Sequence, residues 1–288
     1  MYSSKMQTRS QIRRRSVASI IEWLRNFVRS KREPNAEDFL FASQIDTATL
    51  NQVIEEGTFK GQSVAIFLAG TRAGQAILAH GNPSLGSQIT AATLNQVIEE
   101  KGYSVASFLA STPEGQAILA DGNPSLGSQI TAETLNQVIE EGPNKGQSIA
   151  FYLAGSPGGR AILACNNGAL GLQITADTLN QVVEEGPCEG QSIAFFLAGN
   201  PEGRAILARN NYLLGSQITA ATLNQVIEEG PCKGHSVAFN LAVTLEGQAI
   251  LADNNCALGL QITAATLNQV IEEGICKGQS VAIFLASS

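Results

Sequence analysis

Three groups of side chains in this chain have the types and spacing to do chemistry. The first is a pair of adjacent glutamates that recurs six times: Glu55/Glu56, Glu99/Glu100, Glu140/Glu141, Glu184/Glu185, Glu228/Glu229 and Glu272/Glu273. Paired carboxylates suit acid–base work or the capture of a cation. Here they are six-fold, with no catalytic companion beside them. They predict a solvated acidic strip, paired in part by the Lys that follows (Lys60, Lys145, Lys233, Lys277) or able to grip a basic partner. The second group is Cys232 with His235, three residues apart, the spacing of a Cys–His nucleophile pair. The other copies carry Gln at the His position and nothing nearby orients the ring. Cys188, Cys232 and Cys276 occupy one position in successive copies and form no zinc pattern with His235. The third group is a run of arginines in the first 32 residues. No phosphate-binding loop, nucleophile elbow or dinucleotide fingerprint accompanies them, so no catalytic residue, metal ligand or cofactor is predicted.

The elements that position these groups are repeats. Leu-Asn-Gln-Val-Ile-Glu-Glu begins at Leu50, Leu94, Leu135, Leu179, Leu223 and Leu267, with one Val-for-Ile change. A fixed period of this size marks a stacked array. Starting each unit at Gln-Ile gives copies 44–87, 88–128, 129–172, 173–216, 217–260 and a partial 261–288. The second copy is three residues short, with Lys101-Gly102-Tyr103 in place of the longer connection. A deletion tolerated there marks an exposed loop.

Each unit reads as three short helices. The first opens at a Thr N-cap (Thr90, Thr131, Thr175, Thr219, Thr263; Asp46 or Thr47 in copy one) and runs to a Gly such as Gly142. Its apolar stripe is Leu135, Val138 and Ile139. The Glu pair would then close this helix, against the macrodipole. The repeated Asn-Gln falls on its flank and predicts an amide ladder between copies, with a peptide groove as the alternative. The second helix is capped by Ser148 or its equivalent. Pro157-Gly158-Gly159 breaks the chain before a third helix, 160–164. Helices this short are marginal alone, so each stripe must be buried against the next copy. The last copy lacks a third helix, which predicts fraying, a partner, or self-association at that end. The predicted fold is all-α, an α-solenoid of about five and a half units preceded by an amphipathic helix, with 34–43 as a linker.

Residues shared by every copy hold a stack together, so recognition belongs to the positions that differ. One set follows the third helix: His80, Asp121, Cys165, Arg209 and Asp253, with Tyr212 near a loop tip. It mixes acid, base, thiol and imidazole, and with Tyr103 it forms the predicted partner-binding ridge. The phenylalanines of the second helix, Phe151, Phe195 and Phe239, read as core. The segment Gly190-Gln191-Ser192-Ile193-Ala194-Phe195-Phe196-Leu197-Ala198, then Gly203 and Ile206-Leu207, resembles a drifted ankyrin pattern. The Thr-Pro-Leu-His core of ankyrin is missing, and the length and three-helix count are closer to armadillo units. Such arrays are similar to the ankyrin-like effectors that intracellular bacteria deliver into host cells. The resemblance implies protein binding without catalysis, in the host cytosol if the chain is an effector.

The net charge of −7 hides an asymmetry. Residues 1–33 carry nine Lys or Arg against Glu22 and Glu33, and the acidic excess lies in the remainder. Val17, Ile20, Ile21, Leu24, Phe27 and Val28 form an apolar stripe. Arg13, Arg14, Arg15, Arg25 and Arg29 lie mainly outside it, with Trp23 off its centre. Three roles fit: a cap on the first repeat, burying the stripe against 45–68; a peripheral contact of residues 9–32 with an anionic membrane surface; or an organelle presequence. The acidic body opposes nucleic acid. No apolar run is long enough to span a bilayer, and thiols at one repeat position predict a reducing, cytoplasmic compartment.

Overall fold

The structure is a computed structural model. It describes residues 19–20, 22–23, 26–27, 32–54, 60–80, 83–98, 102–122, 124–140, 144–254, 257–271 and 276–287, except the side chains of 166 and 167. The described residues are mostly helical, and the fold is all-α. The chain divides into two compact units, Met1–Thr93 and Leu94–Ser288.

In the first unit, the segment expected to be a linker contains the helix Ala36–Ala42. The reason is local. Asn35 accepts from the backbone of Glu37 and Asp38 while Asp38 accepts from the Asn35 N–H, a reciprocal capping box. The described residues of 19–27 are helical, with Ile20 and Phe27 buried. Trp23 stacks on Phe27 and on Phe41, with centroids 5.3 and 4.4 Å apart, and donates to Asp38. Arg32 also bonds Asp38, at 3.0 Å through Nη2. The aromatic side of this segment therefore packs on Ala36–Ala42 within the unit. That helix in turn packs on Arg72–Leu78.

Copy three, in the second unit, shows the repeating plan. Thr131 caps Ala132–Asn136 by accepting from Thr134 N–H. The helix ends there, after five residues. It does not run on to Gly142, because the chain turns extended at Gln137 (ψ 127°). Val138 pairs antiparallel with Ser148, and Ile139 exchanges backbone bonds of 2.9 Å with Gln147 and Gly146. Val138, Ile139 and Glu140 thus lie on a hairpin, and Glu140 follows the helix end at Asn136 without closing it. Gly146 closes that loop at φ +82°, where a side chain would be strained. In copy two the shorter loop makes a tight hairpin, Val97–Ile98 against Tyr103–Ser104.

Ser148 then caps Ile149–Gly155 by accepting from Phe151 N–H. Pro157 starts the third helix, Pro157–Gly168, instead of breaking the chain; its missing N–H costs nothing in the first turn. Second and third helices cross backbone to backbone. A Cβ on Gly203 would lie 2.3 Å from the Leu197 carbonyl oxygen, and Gly115, Gly159 and Gly247 are as tight. The second-type helices Val105–Ala110, Ile149–Gly155, Ile193–Ala198, Val237–Ala242 and Val281–Ala286 pack each on the next. So do the third-type helices Pro113–Ala120, Pro157–Gly168, Pro201–Leu207 and Leu245–Ala252. Leu109, Leu153, Leu197 and Leu241 are completely buried between them. Each such leucine contributes on the order of 1.5–3 kcal/mol. Phe151, Phe195 and Phe239 are core, as expected. At the last copy Ile283 is half exposed.

Candidate binding surface

The six-fold asparagine joins the copies. Asn180 donates to Ala176 O and to Gln217 O, both at 2.7 Å, and accepts from Thr219 N–H at 2.9 Å. The first bond fixes the rotamer; the other two reach the next copy. Asn51, Asn136 and Asn224 repeat the arrangement. The amides therefore bridge to backbone, not amide to amide, and they are structural. Asn268 donates to Ala264 O, a bond within its own helix.

A second joint links third helices. Arg160 and Arg204 are buried and donate to Ala154 O and Ala198 O, capping the preceding helix. Each faces a glutamate of the following copy: Arg160 Nε lies 3.7 Å from Glu202, and Arg204 Nη2 3.8 Å from Glu246. Gln116 holds the same place in copy two and accepts from Ser156 of copy three.

Several residues of the predicted variable ridge serve the fold. Arg209 donates to Ala164 O of the preceding copy at 2.9 Å, so it serves the stack. His80 packs tilted against Phe39 and Tyr103 stacks on Phe108, with centroids 4.3 and 5.2 Å apart. Tyr212 is half-buried and follows Asn210 and Asn211 in the left-handed region. Cys165 and Asp121 are exposed, and Asp253 is half-buried. Burial pushes the Cys232 thiol up, and pushes His235 down, where its ring packs on Phe239. Cys165, Cys188, Cys232 and Cys276 are free thiols.

The open concavities lie along the hairpin edge instead. Val138, Val182 and Val226, expected in a buried stripe, are half exposed, and Val270 is 51% exposed. The neighbouring Ile139, Val183, Ile227 and Ile271 are buried. This in–out alternation is that of a strand. The outward valines floor three equivalent clefts in the second unit. One, of about 790 Å³, lies between the hairpins of copies three and four and is lined by Val138, Glu140, Lys145, Val182, Glu184 and Glu185 among others. The next, of about 500 Å³, lies between copies four and five, with Val182, Val226, Glu184, Glu189, Glu228 and Glu229. The third, of about 710 Å³, lies between copies five and six, with Val226, Glu228, Lys233 and Val270.

Glu140, Glu184, Glu185, Glu228 and Glu229 of the predicted acidic strip are exposed on these rims. Glu55, Glu56, Glu99, Glu100 and Glu141 lie outside the described residues, as do Arg13, Arg14, Arg15, Arg25 and Arg29 of the basic head. Among the described residues no ion pair joins Lys145 to Glu140, or Lys233 to Glu228 or Glu229; the glutamates expected to pair with Lys60 and Lys277 lie outside the described residues. The clefts combine an apolar floor with an acidic edge. The residues missed in the sequence are the valines; the Val-Ile-Glu alternation was the signal for them. No helix among the described residues is long and apolar enough to cross a membrane. No protein-family model, curated protein or solved structure matches the chain.

Proposed function

We propose that this chain is a non-enzymatic interaction scaffold, an α-solenoid that binds a protein segment along its hairpin edge. The observation that carries the reading is the recurrence of one cleft between three successive pairs of hairpins. Packing does not require those clefts. The helix columns bury their leucines completely without the outward valines. An invariant, half-exposed valine beside a variable loop suits a surface that offers the same apolar foothold at every step and different contacts around it. A loop residue that varies, Glu189 against Lys145 and Lys233, sits on the same hairpins.

Peptide-display selection against the folded chain tests the reading, with a second selection against a cleft-filled variant carrying Val182→Trp and Val226→Trp. Peptides enriched on the first and lost on the second are expected. No enrichment, or enrichment untouched by filling the clefts, would overturn it.

A further inference from the structure

The three clefts are alike in floor but not in charge. Five copies have the longer hairpin loop, and in four of them a lysine precedes the closing glycine: Lys60, Lys145, Lys233 and Lys277. Copy four has Glu189 there instead. The cleft between copies four and five consequently presents four carboxylates, Glu184, Glu189, Glu228 and Glu229, and no cation among its lining residues. The clefts on either side each include a lysine, Lys145 or Lys233.

We propose that the central cleft selects a cation: it takes an arginine side chain of a peptide in the polyproline-II conformation, while small aliphatic residues three positions away on each side enter the flanking clefts. This rests on the hairpin edge being the binding face. The chemistry follows from the linings. Four carboxylates above two valines suit a guanidinium, which is planar, weakly hydrated and able to engage two carboxylates while its methylenes cover apolar floor. The lysine on each flanking rim offsets part of the acidic charge there, so a cation gains less than in the central cleft, and the valine floor remains for a methyl-bearing side chain. The spacing follows from the stack. Neighbouring helices lie about 8–10 Å apart, and a polyproline-II chain advances about 3.1 Å per residue and turns its side chains to the same side every third residue, so successive clefts meet every third residue. Complementary charge of this kind sets partner choice and encounter rate more than raw affinity.

The test uses a fluorescein-labelled peptide, Gly-Val-Lys-Ser-Arg-Ser-Lys-Val-Gly, titrated with the full chain and followed by anisotropy. Glu189→Lys is expected to weaken binding about tenfold or more, and Glu189→Gln about threefold, from the usual worth of exposed charge pairs. Both variants fold by design, because Lys145 and Lys233 occupy that position in sibling copies; far-ultraviolet circular dichroism checks this. Glu133→Lys, the same charge change on an exposed helix away from the hairpins, is expected to leave affinity within twofold. A peptide with one serine removed on each side of the arginine should bind several-fold more weakly. Equal losses from Glu133→Lys and Glu189→Lys, or indifference to the spacing, would overturn the proposal. If this peptide fails while display-selected peptides still depend on the clefts, the cation-selecting site falls and the binding face stands. If no peptide depends on the clefts, both fall.

Discussion

The helix columns and the hairpin edge are built from the same repeat, yet they use sequence identity in opposite ways. In the columns, identity is imposed by contact. Leu197 is completely buried and Gly203 leaves no room for a single methyl against its carbonyl. At the hairpin edge Val182 is just as constant in type but half exposed. Gly186 and Gly230, in the same loops, would meet nothing within 4 Å if given a Cβ. Constancy in a repeat array therefore has two sources, and exposure separates them.

The contrast can be broken most sharply at the glycines. Gly203→Ala is expected to cost at least about 3 kcal/mol, because a Cβ 2.3 Å from the Leu197 oxygen forces the two helices apart. Gly230→Ala should cost only about 1–2 kcal/mol, from its φ of +79°. Urea denaturation of the two variants compares them directly. Next in size are the asparagines. Asn180→Ala removes bonds to Gln217 and Thr219 and should cost about 2–3 kcal/mol. Asn268→Ala should cost under about 1 kcal/mol in the same titration, since its bond to Ala264 stays within its own helix.

A smaller effect is expected in the first unit. The Arg32 guanidinium, with Asn35 and Trp23, holds the Asp38 carboxyl below the usual carboxylate range. The unfolded group binds protons first as pH falls. The stabilisation is therefore complete above about pH 4 and lost as pH drops through the depressed folded value. Asp38→Asn should lower stability at pH 7 and flatten this acid limb, as read by denaturation at pH 7 and pH 3. Smallest of all, Val182→Ser and Glu184→Gln should change stability by less than about 0.5 kcal/mol. If either unfolds the chain, the hairpin edge is structural after all.

Much of the array was legible in the sequence. Thr131 and Ser148 announced their helices by capping chemistry, and Leu135 and Phe151 announced the core by burial-prone type and spacing. The hairpin was not legible by the same route. Leu135, Val138 and Ile139 fit a helical stripe as well as they fit a helix end followed by a strand. What decides between them is the pairing of Val138 with Ser148, ten residues on, a tertiary fact that helical spacing does not encode. The misplacement of the glutamates followed from that one choice. Arg209 was misread for a related reason: its variability suggested a contact surface, but its guanidinium reaches back to Ala164 of the copy before.

The joints between third helices bear on how such a gene can change length. Deleting all of copy four would bring Arg160 opposite Glu246, a charge pair of the kind it makes now with Glu202. Deleting copy three would instead set Gln116 against Glu202 and put Asn200 where Ser156 donates to Gln116 today. Whole-unit loss is therefore chemically silent at one seam and conspicuous at its neighbour. Recombination between near-identical units would leave shortened descendants that keep matched seams, while mismatched ones would be selected against.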